Sequence, residues 1–281
     1  MTRADLVGDL RAFAAATRKE WRILRRYKGS FLSFVFWPIA LPLAFVFQAE
    51  AFAGGREDTM AAFTERAGTN EVAGFLFVGW ATYMWLSIIL WGPGTSLRDE
   101  QVRGSLEAVF LTPASRLVVL FGPAISQLVW AIWIFLVVGA ALQIGFGVNI
   151  GPFEAARALA VIAVGIPALY AIGALFASVV LRFGNVSALV QGVRGLFTAV
   201  CGMSFPIIVL PELAQRVALA LPPTYLIADL RSVLLTGAGL GAVVGDLAIL
   251  AGMGVVLALL AVIAFKRTET YARRGGRLAQ Y

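Results

Sequence analysis

The sequence lacks several residues on which common active sites depend. It contains no histidine and a single cysteine, Cys201, which lies in an apolar run. These absences exclude a histidine proton relay, a histidine-ligated zinc site and a disulfide framework within the chain. Lysine is limited to Lys19, Lys28 and Lys266, and none of them follows a glycine. The chain therefore lacks the glycine-rich phosphate loop of an ATPase.

Charged residues are also scarce, since they make up 14% of a chain that is 60% hydrophobic. Such a composition is typical of integral membrane proteins. The net charge of +7 does not indicate nucleic-acid binding, because the basic residues flank apolar runs and no soluble domain displays them. Acidic residues fall near the predicted ends of these runs or in loops, which disfavours proton coupling through mid-membrane carboxylates: Glu50, Glu71, Glu154, Asp229 and Asp246.

Six apolar runs are long enough to cross a bilayer as helices, since about 20 residues at 1.5 Å per residue span roughly 30 Å. The predicted fold is therefore an all-α, polytopic membrane protein with a single domain, residues 1–281. Before the first run, aromatic and aliphatic residues at helical spacing predict an amphipathic interfacial helix at 2–28. A polar loop is expected at 53–70. The predicted spans cover residues 30–52, 71–97, 117–146, 153–181, 186–209 and 240–265.

The distribution of basic residues predicts the orientation. Of the 23 lysines and arginines, 18 lie on the side of the two termini and only 5 on the other. By the positive-inside rule, both termini face the cytoplasm, and the expected location is the plasma or inner membrane. One basic residue, Arg194, lies inside the predicted span at 186–209. It either reaches the cytoplasmic interface with its long side chain or lines a polar path.

A polar stretch at 97–117 separates the second and third spans and must lie in water. Within it, Val102, Leu106, Val109 and Phe110 share one face of a predicted helix, and Thr112-Pro113 ends that helix. The remaining faces carry Asp99, Glu100, Arg103 and Glu107. A short amphipathic helix between two spans is a suitable docking site for another protein.

A second segment, residues 202–231, contains four prolines and cannot form one continuous helix: Pro206, Pro211, Pro222 and Pro223. Between Phe205 and Tyr225 we expect a helical hairpin that enters the outer leaflet and returns before the last span. Irregular backbone at that depth requires protein or water to satisfy its polar groups.

Both segments resemble the type-2 ATP-binding-cassette (ABC) exporter permeases. The first carries Glu100, Gly104-Ser105, Glu107 and Thr112-Pro113. The second carries Gly202-Met203-Ser204-Phe205-Pro206, Leu210-Pro211, Leu221-Pro222-Pro223-Thr224-Tyr225 and Arg231. In that family the first segment contains the cytoplasmic coupling helix, and the second forms extracellular re-entrant helices that close the pathway.

The resemblance implies a transport subunit without its own ATPase site or cofactor, while two copies of a cytoplasmic ATPase bind ATP and magnesium. A second copy of the chain, or a related permease, completes the transporter. Coupling would fall to Asp99, Glu100, Val102, Gly104, Ser105, Leu106, Glu107, Val109, Phe110, Thr112 and Pro113. The gate would comprise Phe205, Pro206, Pro211, Pro222, Pro223 and Tyr225. Because spans one, two and five of the family face the dimer axis, the pathway candidates are Trp37, Tyr83, Gln191, Arg194 and Phe197.

The function implied is export of a hydrophobic or amphiphilic substrate, either a drug or a lipid-like molecule. Export of a lipid-linked polysaccharide by the same architecture is the alternative. A stand-alone channel or secondary carrier lacks support because no carboxylate is expected at mid-membrane. An intramembrane lipid-modifying enzyme is disfavoured by the lack of histidine and of a carboxylate pair.

Overall fold

The computed structural model describes residues 28–53, 57–92, 124–180 and 186–274, together with residues 14, 15, 17, 18 and 22. The predicted interfacial helix at 2–28 therefore lies almost wholly outside the described residues, although the six described positions within it are helical. The coupling segment at 98–116 lies entirely outside them. Within the described part of the chain there is no β-strand, which confirms the all-α prediction.

Nine helices are described, and we number them α1 to α9 in chain order. They are α1 (Lys28–Ala53), α2 (Glu57–Ala67), α3 (Val72–Trp91), α4 (Ala124–Phe146), α5 (Pro152–Val180), α6 (Val186–Val200), α7 (Glu212–Leu219), α8 (Pro222–Leu235) and α9 (Val244–Arg274). Two short 3₁₀ turns, Ile207–Val209 and Leu240–Ala242, precede α7 and α9. Five of the helices, α1, α3, α4, α5 and α9, are long and apolar enough to cross a membrane.

Helix α3 lies at the centre of the bundle. It packs against α1, α4, α5, α6 and α8, and most of its residues are buried. Phe77 and Leu86 are both fully buried on it, although their spacing of nine residues places them on opposite sides of the helix. An apolar helix in a membrane can be covered by lipid or by protein, and α3 is the described span that is most fully covered by protein. Helix α9 packs chiefly on α5, and its outer face exposes aliphatic residues such as Val255 and Leu259.

The span predicted at 186–209 differs from the structure. Helix α6 ends at Val200 and has 15 residues, or about 22 Å, which is short for a bilayer crossing. The chain then turns at Gly202, whose φ of +72° is readily adopted by glycine, and Pro206 is itself extended just before the 3₁₀ turn Ile207–Val209. In this apolar run Cys201 and Met203 are buried in the bundle without continuing the helix, whereas Ile208 and Val209 are exposed.

Three other boundaries also differ from the sequence prediction. The loop expected at 53–70 contains the 11-residue helix α2. The second span ends at Trp91, where Gly92 follows as the C-cap, rather than at residue 97. The last span begins at Val244, after the 3₁₀ turn, rather than at residue 240. Its apolar part ends at Ala264, within one residue of the predicted end, although the helix itself continues to Arg274.

Candidate functional site

The predicted coupling residues between Asp99 and Pro113 lie outside the described residues, but the helices that frame them are described. Helix α3 ends next to the start of α4, because a Cβ added at Gly92 would overlap the side-chain amide of Gln127. Tyr170, on α5, donates to the carbonyl oxygen of Ala124 at 3.2 Å and fixes the same end of α4. Gly92 and Ala124, which flank residues 93–123, therefore lie at the same end of the bundle.

A partly exposed polar cluster connects α3 and α6 where the two helices pack together. The Arg194 guanidinium donates through Nη2 to the hydroxyl of Tyr83 and through Nη1 to Oε1 of Gln191 at 3.2 Å. Its central carbon also lies 4.8 Å from the centroid of the Tyr83 ring, which is within the range of a cation–π contact. Three of the five pathway candidates thus form one group, although Tyr83 and Arg194 are 111 residues apart.

The cluster lies far from either end of the helix that carries it. Tyr83 is eleven residues after the first residue of α3 and eight before the last, so its height is close to the middle of a 20-residue helix. Arg194 is partly buried, and its Nε atom is buried without a hydrogen-bond acceptor among the described residues. An ionisable side chain at that depth is costly in a bilayer, and such residues usually mark a functional path.

An aromatic row extends from this cluster to α1. The Phe45 and Trp80 rings stack with centroids 4.7 Å apart, and Trp80 meets Tyr83 edge-on at 4.8 Å. The two other pathway candidates lie apart from the cluster. Trp37 is 51% exposed on α1, edge-on to Phe36, whereas Phe197 is only 5% exposed and belongs to the core.

The segment with four prolines contains two helices, α7 and α8, whose axes differ by 86°. The prolines lie at the starts of elements rather than inside them. Pro206 precedes the 3₁₀ turn, Pro211 precedes α7, and Pro222 and Pro223 occupy the first turn of α8. Proline suits these positions because it has no N–H to leave unpaired and its φ matches the first turn.

Side chains of α8 close the corner between α7 and α8. Thr224 donates its hydroxyl to the carbonyl oxygen of Ala218 at 2.6 Å, and Tyr225 donates to that of Leu219 at 3.0 Å. Both acceptors lie in the last turn of α7, where carbonyl groups have no intrahelical partner. Phe205, the first residue of the predicted gate, is partly buried.

Arg231, on α8, holds the irregular segment after α6 against α3. Its guanidinium donates to three backbone carbonyl oxygens, those of Phe75, Gly202 and Met203, at distances of 2.8 to 3.1 Å. It also lies 3.3 Å from the centroid of the Phe75 ring. The carbonyl groups of Gly202 and Met203 are freed where α6 ends, and Arg231 satisfies both.

Gly79 allows this arrangement from the side of α3. A Cβ added there would overlap the carbonyl oxygen of Met203 and would lie 2.7 Å from Nη2 of Arg231. The irregular backbone therefore packs directly on the helix surface at a residue without a side chain. Three elements, namely α3, the segment after α6, and α8, meet at this junction.

A comparison with protein-family models matches residues 56–263 to the ABC-2 family transporter protein model. This chain belongs to the ABC-2 transporter family. The match covers both the polar cluster and the Arg231 junction, and it includes the segment predicted to couple. The comparison with curated proteins finds no significant match.

Membership establishes the general role of the chain. As an ABC-2 family member it is a multi-pass membrane protein and a permease subunit of an ABC transporter, and the family in general works with an ABC ATPase partner. The sequence resemblance to ABC-2 permeases is thereby confirmed. Family members generally lack an ATPase site of their own, in keeping with the missing phosphate loop.

In the sequence of this ABC-2 chain, Arg231 is recognisable only as a motif position, and nothing marks Gly79 or Phe75 as its partners. A signal for Arg231 was available, because an arginine within the largely apolar run 226–235 needs internal partners. No sequence signal identified those partners, since Phe75 lies 156 residues earlier. Gly79 lies in an apolar run in which a glycine has many possible roles.

Proposed function

We propose that this permease exports a hydrophobic or amphiphilic molecule, such as a drug or a lipid-like compound, and that a separate ATPase drives it. The observation that carries the proposal is the polar cluster of Tyr83, Gln191 and Arg194 at mid-height in a chain of the ABC-2 family. A guanidinium beside aromatic rings can interact with both a polar group and an apolar body. That combination suits an amphiphile better than a simple ion.

The pathway we propose lies between two copies of the chain, on the face formed by α1, α3 and α6. Helix α6 buries Val190, Phe197 and Val200 against the bundle. Its opposite face is exposed and consists of small residues at spacings of four, three and four, namely Ala188, Gly192, Gly195 and Ala199. In membranes, small residues at such spacing allow two helices to approach closely.

Space around this face supports the same arrangement. A Cβ added at Gly192 or at Gly195 would meet nothing within 4 Å in the single chain. Gln191 is exposed on the same side of α6 and contacts Arg194, so a second copy packed there would bring two polar clusters to one interface. Trp37 is exposed on α1 and would contribute to the apolar wall of the pathway.

Two copies of an ABC ATPase would supply the energy for transport. They would bind ATP and magnesium and would contact the predicted helix at 98–116. The termini and this helix would face the cytoplasm of the plasma or inner membrane, as the 18 basic residues on that side indicate. Closure of the ATPase dimer would then shift the permease between two packings, because its contacts with the helix differ between the two states.

On this scheme α7 and α8 close the outer end of the pathway. The junction at Arg231 ties α8 both to α3 and to the segment after α6, so a movement of α3 or α6 is passed to the closing helices. Pro206, Pro211, Pro222 and Pro223 fix where the chain bends, so that these short helices would move as units.

The proposal is tested by purifying the tagged chain from its native membrane in mild detergent and identifying the bound proteins by mass spectrometry. We expect an ABC ATPase in near-stoichiometric amount, and we expect its ATP hydrolysis to rise when anionic or neutral amphiphiles are added, because the Arg194 guanidinium would repel a cation. Stimulation only by lipid-linked glycans would favour the alternative substrate. Isolation of the chain without any ATPase, under conditions that preserve its oligomer, would contradict the proposal.

A further inference from the structure

The face of the bundle formed by α4 and α5 contains an apolar groove of about 350 Å³, apart from the polar cluster and the Arg231 junction. Its floor is formed by fully buried side chains, including Val78 of α3 and Leu142 of α4. Exposed aliphatic side chains stand at the rim, with Leu136 61% exposed and Leu159 51% exposed. Both α4 and α5 are long enough to cross the membrane, so the rim borders the hydrocarbon of the bilayer.

The chemistry of the lining restricts what can occupy the groove. Fourteen of the fifteen lining residues are apolar, and the exception is Gln143. The Gln143 amide donates to the carbonyl oxygen of Ile150 at 2.7 Å, which closes the turn between α4 and α5 at one end of the groove. A polar or charged ligand would therefore lose hydration without gaining partners along the groove.

The length of the groove matches a single lipid tail. Its lining on α4 runs from Ile132 to Gln143, which corresponds to about 16 Å along the helix axis. The hydrocarbon core of a bilayer is about 30 Å thick, so one leaflet contributes about half of that. The groove thus extends over one leaflet and ends near the turn between α4 and α5. A transmembrane helix of a partner would extend over both leaflets.

Residues 93–123 and most of residues 1–27, which the structure does not describe, join the bundle away from the groove. Residues 1–27 precede α1, and residues 93–123 connect α3 to α4 at the end that contains Gly92 and Ala124. The groove lies in the other half of the bundle, near residues 147–151. The bilayer is consequently the nearest source of an occupant.

We propose that the groove between α4 and α5 binds one acyl chain of a membrane lipid in the leaflet on the side of residues 147–151. Its polar headgroup would lie beside the turn that Gln143 closes, while the tail would cover Leu142 and Val78. The bound acyl chain would supply van der Waals contacts that the side chains lining the groove otherwise lack. This lipid is a resident of the permease, separate from the exported molecule.

Gly139 provides a direct test because it lines the groove and a Cβ added there would meet nothing within 4 Å. Because a Cβ has open space there, the variant Gly139→Phe should place its ring in the groove. Gly145, on the same helix, has equally open surroundings but does not line the groove. Gly145→Phe is therefore a matched control for the loss of glycine and the gain of an aromatic ring.

The experiment places the full-length protein in nanodiscs of phosphatidylcholine that carries a diazirine in its acyl chain, followed by photolysis and peptide mapping. In the wild type we expect the adducts to be concentrated at residues 132–143 and 155–162. Gly139→Phe should lose most of these adducts, whereas Gly145→Phe should keep them. Gly139→Leu, a smaller filler, should give an intermediate loss. Adducts no denser there than on the exposed face of α9, at Val255 and Leu259, would overturn the proposal.

Occupation by a second copy of the chain is distinguished by a separate measurement. Leu136→Cys would form a disulfide-linked dimer in the membrane if two copies met at this groove. We expect Leu136→Cys to remain monomeric on non-reducing gels after treatment with a membrane-permeant oxidant. A cross-linked dimer in high yield would overturn the proposal, as would adducts at 132–143 that persist unchanged in Gly139→Phe.

Discussion

The guanidinium of Arg231 donates two hydrogen bonds to the carbonyl oxygen of Phe75, through Nε at 3.1 Å and through Nη2 at 2.9 Å. A third and a fourth bond reach Gly202 and Met203, so one side chain joins α8, α3 and the irregular segment after α6. Because all of these acceptors are backbone carbonyl groups, the junction depends on the geometry of the guanidinium rather than on charge pairing.

Arg231→Lys tests this dependence on geometry. The ammonium group keeps the positive charge but cannot reach all three carbonyl groups at once, and each buried carbonyl left unpaired costs about 1–3 kcal/mol. We expect the free energy of unfolding to fall by about 2 kcal/mol or more, measured as a lower thermal midpoint of the purified protein. Arg216→Lys is the control, because that side chain is 74% exposed on α7. Equal midpoints for the two variants would disprove the role of Arg231.

Gly79→Ala tests the close packing of the segment after α6 on α3. The added methyl group would overlap the backbone carbonyl of Met203, which cannot move without disturbing the bonds of Arg231. Overpacking of this kind costs about 1–3 kcal/mol. Gly252→Ala serves as the control because its Cβ meets nothing within 4 Å and it lies outside the proposed dimer face. If thermal unfolding of Gly79→Ala matched that of Gly252→Ala, the packing described at this junction would be wrong.

Tyr83→Phe tests the polar cluster between α3 and α6. Removal of the hydroxyl leaves Arg194 with one acceptor fewer at mid-height, and we expect substrate-stimulated ATP hydrolysis by the assembled transporter to fall severalfold. A double-mutant cycle with Arg194→Gln should give a coupling energy of about 1 kcal/mol or more, since the two side chains are in direct contact. Additive effects of the two substitutions would show that the contact has no functional role.

Gly195→Leu tests the assembly of two copies through α6. A bulky side chain on a face of small residues should keep the two helices apart and shift the protein towards the monomer, as measured by light scattering in detergent. Gly252→Leu is the matched control, since Gly252 is also exposed with open surroundings but lies on the lipid-facing side of α9. A dimer of unchanged stability in Gly195→Leu would place the interface elsewhere.

Much of the architecture could be predicted from the sequence because long apolar runs leave few alternatives to membrane helices. Helix α5, for example, lies within one residue of the run read at 153–181. Hydropathy alone does not predict the end of α6. Residues 201–209 are as apolar as a span, and hydropathy does not distinguish an irregular apolar segment from a helix. Gly202 and Pro206 were the only local signs of that break.

The site was harder to predict, for a related reason. Arg194 could be singled out as a charge within an apolar run, but its contact with Tyr83 joins helices that are far apart in sequence. The hydrogen bond from Arg231 to the carbonyl oxygen of Phe75 also joins helices far apart in sequence, and the junction that it forms depends on where α6 ends. The polar composition of residues 57–67 predicts a loop, although Phe63 and Ala67 share the face of α2 that packs on the bundle.

The link between the permease and its ATPase is the central claim of the proposed function, and Leu106→Asp in the assembled complex tests it most directly. The measurement is the amount of ATPase that copurifies and its substrate-stimulated ATP hydrolysis, compared with Gln101→Asp on the polar face of the predicted helix. We expect Leu106→Asp to lose the ATPase or its stimulation, because a charge on the apolar stripe cannot enter an apolar cleft, while Gln101→Asp keeps both. Full copurification and unchanged stimulation in a normally expressed Leu106→Asp would contradict the coupling role of residues 98–116.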